Sequence, residues 1–422
     1  MSRRLGNTWA VASLSITARV RPTQHVVGVR GGSWHAIVNE RGSIRPSDGS
    51  QTLDWHVAAD DRWHDPSTEG TVRQERRGGI PIIETRLRVP GGDILQRIYG
   101  VVEHGGLIVA EFENQSSLPV VVALTRGDVL AQRPAGSAVI SGISPPQGSV
   151  AYPVGHKAKL TVALARSGSS LKQLPTNLVE VEQLRRGWST ALDRASRLVV
   201  PDREYCDLVA RTRADLLICG SEHFSTVADD PVAFVLTLVE LQRLGEKIDL
   251  YLTELVDAVE SIFAASSRAS HVEWDVERAL FGAQRLFHSM GETRAITDVQ
   301  NSQSRLGSLG QRPEDFPTEM PAGIRGIAWL EDQLVSPRRD GTAAILPRSI
   351  PDRWLGIDLE AYSLIADSVR TVSCALRWHG KHPALLWEVV GPPGLHLSTG
   401  RFDPTWSSNE STGETLLRGF AV

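Results

Sequence analysis

Residues 230–250 read DPVAFVLTLVELQRLGEKIDL and decide the fold of the middle of the chain. Asp230 can accept a hydrogen bond from a free backbone amide, and Pro231 has no amide to leave unpaired, so the pair predicts a helix start. The apolar residues that follow recur at three- and four-residue steps, as on one face of a helix. Gly245 can adopt the left-handed conformation that ends helices. The stretch therefore predicts one complete helix and, directly after it, the start of the next.

The same periodicity continues through 203–336 and predicts six helices there. Met290-Gly291-Glu292 is a second turn like the one at Gly245, and the spacing between the two turns is that of a helix pair with its connections. We interpret the region as an α/α domain of antiparallel α-hairpins packed side by side. Two unrelated helix ends in an ordinary helical domain would explain the two glycines equally well.

The N-terminal region, 1–170, contains many short apolar runs separated by Gly, Pro, Asn and Asp. Ile82–Val89 and Ile94–Val102 flank a Pro-Gly-Gly-Asp turn, which predicts a hairpin. Gly106–Glu113 and Pro119–Thr125 flank Asn-Gln-Ser-Ser and predict a second one. We interpret the region as a large antiparallel β-sandwich.

A linker helix is predicted within 171–202, because its apolar residues fall on one helical face with Trp188 at the centre. Such a face has to be buried, so we expect Trp188 to lie between the sandwich and the helices. The last region, 337–422, returns to a period of two and predicts a small C-terminal β unit. Its clearest hairpin turns at Gly380 and is expected to bring Trp378 and Trp387 together. The fold class predicted for the whole chain is multidomain α+β.

The composition excludes several functional classes. The chain has 422 residues, 41% of them hydrophobic, and a formal net charge of −4, which argues against a nucleic-acid partner. Its three cysteines are scattered and give neither a disulfide framework nor metal-ligand spacing. No apolar segment reaches the length of about 20 residues that spans a bilayer, so we expect a cytoplasmic protein without a membrane partner. No cofactor motif is present, and the sequence does not determine the oligomeric state.

Trp-His pairs occur four times, at Trp34, Trp55, Trp63 and Trp378. Neighbouring residues of a strand point to opposite faces, so the four histidines need not converge, and we predict no metal site. The tryptophans could line a sugar-binding surface, but core packing is the favoured interpretation.

The order of the parts resembles that of the six-hairpin glycosidases, of the bacterial glucoamylase and disaccharide phosphorylase type. The Phe112–Val120 turn is also similar to turns in the sandwich domains of such enzymes. The resemblance implies an α/α toroid and activity on α-linked glucosides. A complete toroid needs twelve helices, however, and only six are predicted in 203–336, so the family's catalytic positions are not transferred.

Glycosidic cleavage needs two carboxylates that face each other across the scissile bond. Acidic residues lie beside a tryptophan in two places, and two loop residues are further candidates. The predicted catalytic residues are Glu273, Asp275, Glu331 and Asp332, and the predicted substrate-binding residues are Trp274, Trp329, Trp354 and His223. Acids in a first helical turn and on a solvated helix face are also expected without any catalytic role.

Two functions therefore stay open at this point. The first is a carbohydrate-active protein, an enzyme or a degenerate descendant of one, with an oligosaccharide as its ligand. The second is a non-catalytic interaction protein that binds a protein partner along a groove of the helical array. Carboxylates that converge in a concave pocket would favour the first, and carboxylates spread over solvated faces would favour the second.

Overall fold

The computed structural model describes residues 24–135, 147–220, 225–309, 320–348, 350–380, 382–400 and 402–418. It has antiparallel sheets at the N-terminal side, helices in the middle and further sheets at the C-terminal side, so the α+β class is confirmed. No described helix is both long and apolar enough to cross a membrane.

The N-terminal strands form three sheets, in the orders β1-β2-β3, β12-β10-β4-β5 and β11-β13-β9-β8-β7-β6. The strands are β1 (Gln24–Gly28), β2 (His35–Asn39), β3 (Ile44–Pro46), β4 (Trp55–Ala58), β5 (Trp63–His64), β6 (Arg73–Glu75), β7 (Ile82–Val89), β8 (Gly92–Val101), β9 (Leu107–Asn114), β10 (Val120–Leu124), β11 (Leu130–Ala131), β12 (Val150–Val154) and β13 (Lys159–Ala165). Apolar side chains of all three sheets share one core, in which the rings of Trp55 and Phe112 lie 5.5 Å apart.

Of the two predicted N-terminal hairpins, only the first is confirmed. β7 and β8 pair in register, from Ile82 with Tyr99 to Val89 with Gly92. β9 and β10, by contrast, belong to different sheets, so the second prediction is wrong. Asn114 explains the change of sheet, because its amide donates to the carbonyls of Leu118 at 2.8 Å and Val154 at 3.1 Å and so holds the chain in a crossing turn.

Seven α-helices follow within the described residues. They are α1 (Val181–Leu192), α2 (Arg203–Cys219), α3 (Pro231–Leu244), α4 (Leu252–Ser266), α5 (Trp274–Met290), α6 (Thr293–Gln303) and α7 (Gly323–Leu334). Asp230 caps α3 by accepting the amide of Ala233 at 3.0 Å. Gly245 and Gly291 end α3 and α5 with φ of 87° and 79°, so the predicted helix ends are confirmed.

The resemblance to a six-hairpin toroid is wrong. The described residues contain only these seven α-helices, of 11 to 17 residues, and most of the remaining regular structure is sheet. Within the helical region α3 contacts α4, α5 and α7, and its most extensive contact is with α5, which is not its neighbour in the chain. The middle of the chain is therefore a compact group of helices, and the repeated α-hairpin stays a prediction.

The six-stranded sheet uses its second face to hold the helices. Tyr99 and Val109 on that face form one apolar cluster with Trp188 of α1 and Leu217 of α2. Trp188 is only 6% exposed, so its predicted position between the sheet region and the helices is confirmed. Because the cluster contains residues of both parts, the linker fixes one part against the other.

The C-terminal strands form sheets in the orders β14-β19-β20-β21-β24 and β17-β18-β22-β23, and a short parallel pair, β15-β16, lies among the helices. The strands are β14 (Arg197–Val199), β15 (His271–Val272), β16 (Ser308–Leu309), β17 (Val335–Pro337), β18 (Ala343–Ile345), β19 (Leu359–Ile365), β20 (Thr371–His379), β21 (His382–Val390), β22 (Leu397–Thr399), β23 (Ser407–Ser408) and β24 (Thr412–Leu416). β14 comes from the predicted linker, yet it pairs with β19 of the C-terminal sheet.

The predicted hairpin around Gly380 is present as β20 and β21, but the contact expected inside it is wrong. The register places Trp378 opposite Pro383 and Trp387 opposite Cys374. The two tryptophans are thus separated along the hairpin, and the ring of Trp387 lies 5.0 Å from that of Trp406 instead.

Candidate functional site

Glu331, a predicted catalytic residue, lies at the centre of the helical region and is 1% exposed. Its Oε1 accepts hydrogen bonds from Ser196 Oγ at 2.7 Å and from Arg213 Nη2 at 3.4 Å. Its Oε2 accepts from Arg243 Nη1 at 2.9 Å and from Arg278 Nη2 at 3.2 Å. One carboxylate of α7 therefore joins three arginines of α2, α3 and α5.

Glu240 of α3 is the second anion of this group. It accepts from Arg213 Nε at 2.5 Å and from Arg243 Nη1 at 3.0 Å. We call Arg213, Glu240, Arg243, Arg278 and Glu331 the buried arginine cluster, since every side chain in it is at most 5% exposed.

The electrostatics of the cluster keep Glu331 ionised. Burial by itself would raise the pKa of Glu331, but the charges of Arg243, Arg278 and Arg213 outweigh it and hold the pKa below its ordinary value. A general acid in glycoside hydrolysis needs a raised pKa, so that it carries a proton to donate near neutral pH. The surroundings of Glu331 favour a structural ion network over proton transfer.

Asp332 is also buried and paired. Its Oδ2 accepts from Arg348 Nη2 at 3.0 Å, and its Oδ1 accepts from Ser336 Oγ at 2.9 Å. These contacts tie the end of α7 to the C-terminal sheets, which is a stabilising role.

Asp275 takes part in a clamp of helix starts. Arg325 in the first turn of α7 donates to Asp275 at 2.7 Å and to both oxygens of Asp230, at 2.5 and 2.9 Å. Asp230 caps α3 and Asp275 lies in the first turn of α5, so one guanidinium joins three helix N-termini. The hydrogen bonds from Arg325 to Asp230 are the main cause of a raised pKa of Arg325, which keeps the clamp charged.

Glu273 differs from the other three acids because it is exposed. Glu273 directly precedes α5, but its side chain accepts no capping hydrogen bond from the helix. The structure therefore places the four predicted catalytic residues in separate surroundings: a buried cluster, a buried pair, a helix clamp and the surface. Whether any of them acts on a substrate stays a prediction.

The predicted aromatic binding residues mostly belong to the core. Trp329 is 4% exposed and Trp354 is fully buried, and their rings lie 6.1 and 6.2 Å from that of Tyr205. Trp354 also donates its indole N–H to Asp202 at 2.9 Å. Trp274 is half-buried, and His223 lies outside the described residues. Neither Trp329 nor Trp354 presents a face on which a sugar ring could stack.

The structure shows two cavities that the sequence did not indicate. The first, the helix cavity, has a volume of about 20 Å³ and lies between α3, α5 and α7. The buried arginine cluster forms part of its wall, and the rest of the wall is largely apolar. Its lining residues include Val239, Glu240, Arg243, Arg278, Phe281, Ile327 and Glu331.

The second, the charged cleft, has a volume of about 600 Å³ and lies between the six-stranded sheet and the start of α1. It is lined by Arg77, Glu84, Arg86, Arg97, Glu111, Lys159, Glu180, Val181, Glu182 and Arg185. Arg97 of β8 binds Glu84 of β7 at 3.1 Å and Glu113 of β9 at 2.9 Å, and Lys159 of β13 binds Glu111 at 2.7 Å. Charges of both signs thus alternate across the floor.

A sequence signal for the cleft does exist, because the charged residues Glu84, Arg86 and Arg88 alternate with uncharged residues along β7. That pattern is typical of any strand with one wet face, so it did not single out a site. The buried arginine cluster has no local signal at all, since its members come from four separate helices.

Comparison with protein-family models and with curated proteins finds no match for this chain. Among the described residues, no group of three His, Cys, Asp or Glu is arranged to hold a metal ion.

Proposed function

We propose that the chain is a non-catalytic interaction protein, and that the charged cleft binds a segment of a partner protein that carries both positive and negative side chains. The observation that supports this proposal most is the cleft itself, about 600 Å³ in volume and lined almost entirely by ionisable side chains. Its location differs from the helical groove expected from the sequence.

The cleft has the composition of an interaction surface. Five of its lining residues are basic and four are acidic, so it does not attract one sign of charge alone. A nucleic acid would require an excess of basic side chains, and a stacked sugar would require an aromatic platform, which the lining residues do not supply. A mixed-charge peptide complements both signs, and such complementarity selects the right partner.

The basic side chains of the cleft are accessible to a partner. The side chain of Lys159 is 46% exposed and that of Arg86 is 32% exposed, whereas their acidic partners Glu111 and Glu84 are only 6% and 9% exposed. Leaving a buried carboxylate without its counter-charge is costly, so these pairs stay formed, and the exposed basic groups use their remaining N–H donors to bind acidic side chains of the partner. The guanidiniums of the buried arginine cluster are at most 5% exposed and are not accessible in this way.

The proposal is tested by selecting peptides from a phage-displayed library on the immobilised full-length chain. We expect enrichment of peptides that carry both charge signs, with binding that weakens as salt is added. The triple variant Arg86→Glu, Lys159→Glu, Arg185→Glu should lose these peptides.

The matched control reverses three arginines outside the cleft, Arg294→Glu, Arg305→Glu and Arg338→Glu, all of which are exposed. This variant should retain the peptides. Equal selection by both triple variants would contradict a site in the cleft. Turnover of an α-glucoside, with or without inorganic phosphate, would contradict the non-catalytic role and favour the carbohydrate-active hypothesis instead.

A further inference from the structure

We propose that the helix cavity binds a small monovalent anion such as chloride, held by Arg243 and Arg278. The cavity lies directly against the buried arginine cluster and has a volume of about 20 Å³. The proposal concerns the interior of the helical region and is independent of the charged cleft.

The buried charges do not cancel. The buried arginine cluster contains three arginines and two glutamates, and each of these five side chains is at most 5% exposed. Asp332, beside the cluster, has its own partner in Arg348, so this pair leaves the balance unchanged. Asp193, whose charge also acts on Arg213, is exposed to solvent and does not neutralise the buried charge at the cavity. A buried charge without a counter-charge is strongly unfavourable, so one more negative charge would stabilise the cluster.

Arg285 increases the imbalance. The pKa of Arg285 is lowered, first by burial and then by the nearby positive charge of Arg243. Its closest acid by charge, Asp367, is engaged at 2.6 Å by Arg370. Among the described residues, Arg285 Nε is buried without a hydrogen-bond acceptor.

Arg278, which lines the cavity, has more N–H groups than the hydrogen bonds it donates to the described residues use. A guanidinium carries five N–H donors. Within the described residues Arg278 donates two hydrogen bonds, to the carbonyl of Ile365 at 3.4 Å and to Glu331 at 3.2 Å, and both are long. Burial lowers the pKa of Arg278, although a guanidinium stays protonated at any physiological pH. An anion in the cavity would supply both the acceptor and the missing charge.

The size and wall of the cavity define the ligand. A volume of about 20 Å³ admits one water molecule or one ion of similar size. Apolar residues such as Val239, Phe281 and Ile327 complete the wall, so the charges there are poorly screened. Water could accept the free N–H groups, but it could not neutralise the excess charge.

The experiment measures thermal unfolding of the full-length protein after exhaustive dialysis into sodium gluconate. Chloride replaces gluconate stepwise at constant ionic strength. If chloride binds the native state, the unfolding midpoint should rise and then saturate, because a ligand of the folded state stabilises it by mass action. Superimposable unfolding curves in chloride and gluconate would overturn the proposal.

Two variants connect the effect to the cluster. Arg278→Met removes one of the two arginines that hold the anion and should abolish the chloride-dependent rise. Arg294→Met removes an arginine whose side chain is 95% exposed, and it should retain the full rise. Retention of the rise in folded Arg278→Met would count against this site.

A crystallographic measurement on the unmodified chain covers the case in which Arg278→Met does not fold. Crystals grown with bromide should show an anomalous peak in the helix cavity, between Arg243 and Arg278. Density for water there, with no anomalous signal, would overturn the proposal.

Discussion

Gly282 of α5 lies so close to α3 that a Cβ atom on it would come within 2.5 Å of Val239 Cγ2. A side chain there requires Val239 or the backbone of the two helices to shift. We therefore expect Gly282→Ala to destabilise the protein by about 1–3 kcal/mol, the usual effect of overpacking a core. Urea unfolding followed by circular dichroism measures the change.

The matched control is Gly187→Ala in α1, where a new Cβ would meet no atom within 4 Å. This change should stabilise the protein by about 0.5–1 kcal/mol, because alanine favours a helix more than glycine does. The same sign of effect at both glycines would show that α3 and α5 are not packed as described.

Trp188→Ala should lower the stability of the chain strongly. Trp188 is 6% exposed and belongs to the cluster that joins the six-stranded sheet to α1 and α2. Truncating a buried tryptophan typically costs about 3–5 kcal/mol. Differential scanning calorimetry should show a lower midpoint, and limited proteolysis should cut the helical region faster. Leu250→Ala is the control. Leu250 is 86% exposed, so this substitution should leave both the unfolding midpoint and the rate of proteolysis unchanged. A Trp188→Ala variant that melts and digests like the parent would mean that the linker is not docked.

Glu331→Gln and Glu273→Gln separate a structural role from a catalytic one. Removing the charge of Glu331 leaves three buried arginines with one carboxylate, and breaking a buried ion pair typically costs about 3–5 kcal/mol. Glu273 is exposed, so its replacement should change the free energy of unfolding by less than about 0.5 kcal/mol. Chemical denaturation of both variants gives the comparison. Equal stability of the two would contradict the role assigned to the buried arginine cluster.

The stability of the protein should fall as the pH drops from about 6.5 towards 4, in part because of His25. Burial, together with the charges of Arg76 and Arg211, lowers the pKa of His25 from 6.5 to about 4 in the folded state. Between these two pKa values His25 is protonated in the unfolded chain but not in the folded chain, so acidification favours unfolding. His25→Gln should reduce this loss, measured as the difference in unfolding free energy between about pH 7 and about pH 5. His382→Gln replaces an exposed histidine and should leave the pH dependence as it is.

The sequence predicted correctly those parts of the fold that depend on residues close together in the chain. The Asp230-Pro231 helix start and the two glycine ends were predicted correctly, because capping depends on residues a few positions apart. The pairing of β14 with β19 was not predicted, since it joins segments on opposite sides of the helical region. The buried arginine cluster was missed for the same reason: each arginine is indistinguishable in its own helix from one on a solvated face. The sequence indicated Glu331 and Asp332 as candidate residues, but it did not indicate the arginines that bind them.

β14 also determines the order in which the protein can be completed during synthesis. Val199 of β14 pairs with Glu360 of β19, so the helices α2 to α7 are inserted between two adjacent strands of one sheet. The ribosome synthesises β14 long before β19. The backbone hydrogen-bonding groups on the edge of β14 therefore have no partner strand until β19 has been made. A fragment that starts at 337 lacks its outermost strand, and one that stops at 336 exposes an open strand edge. The helical region and the C-terminal sheets are therefore a single unit of assembly, although the helical region emerges first.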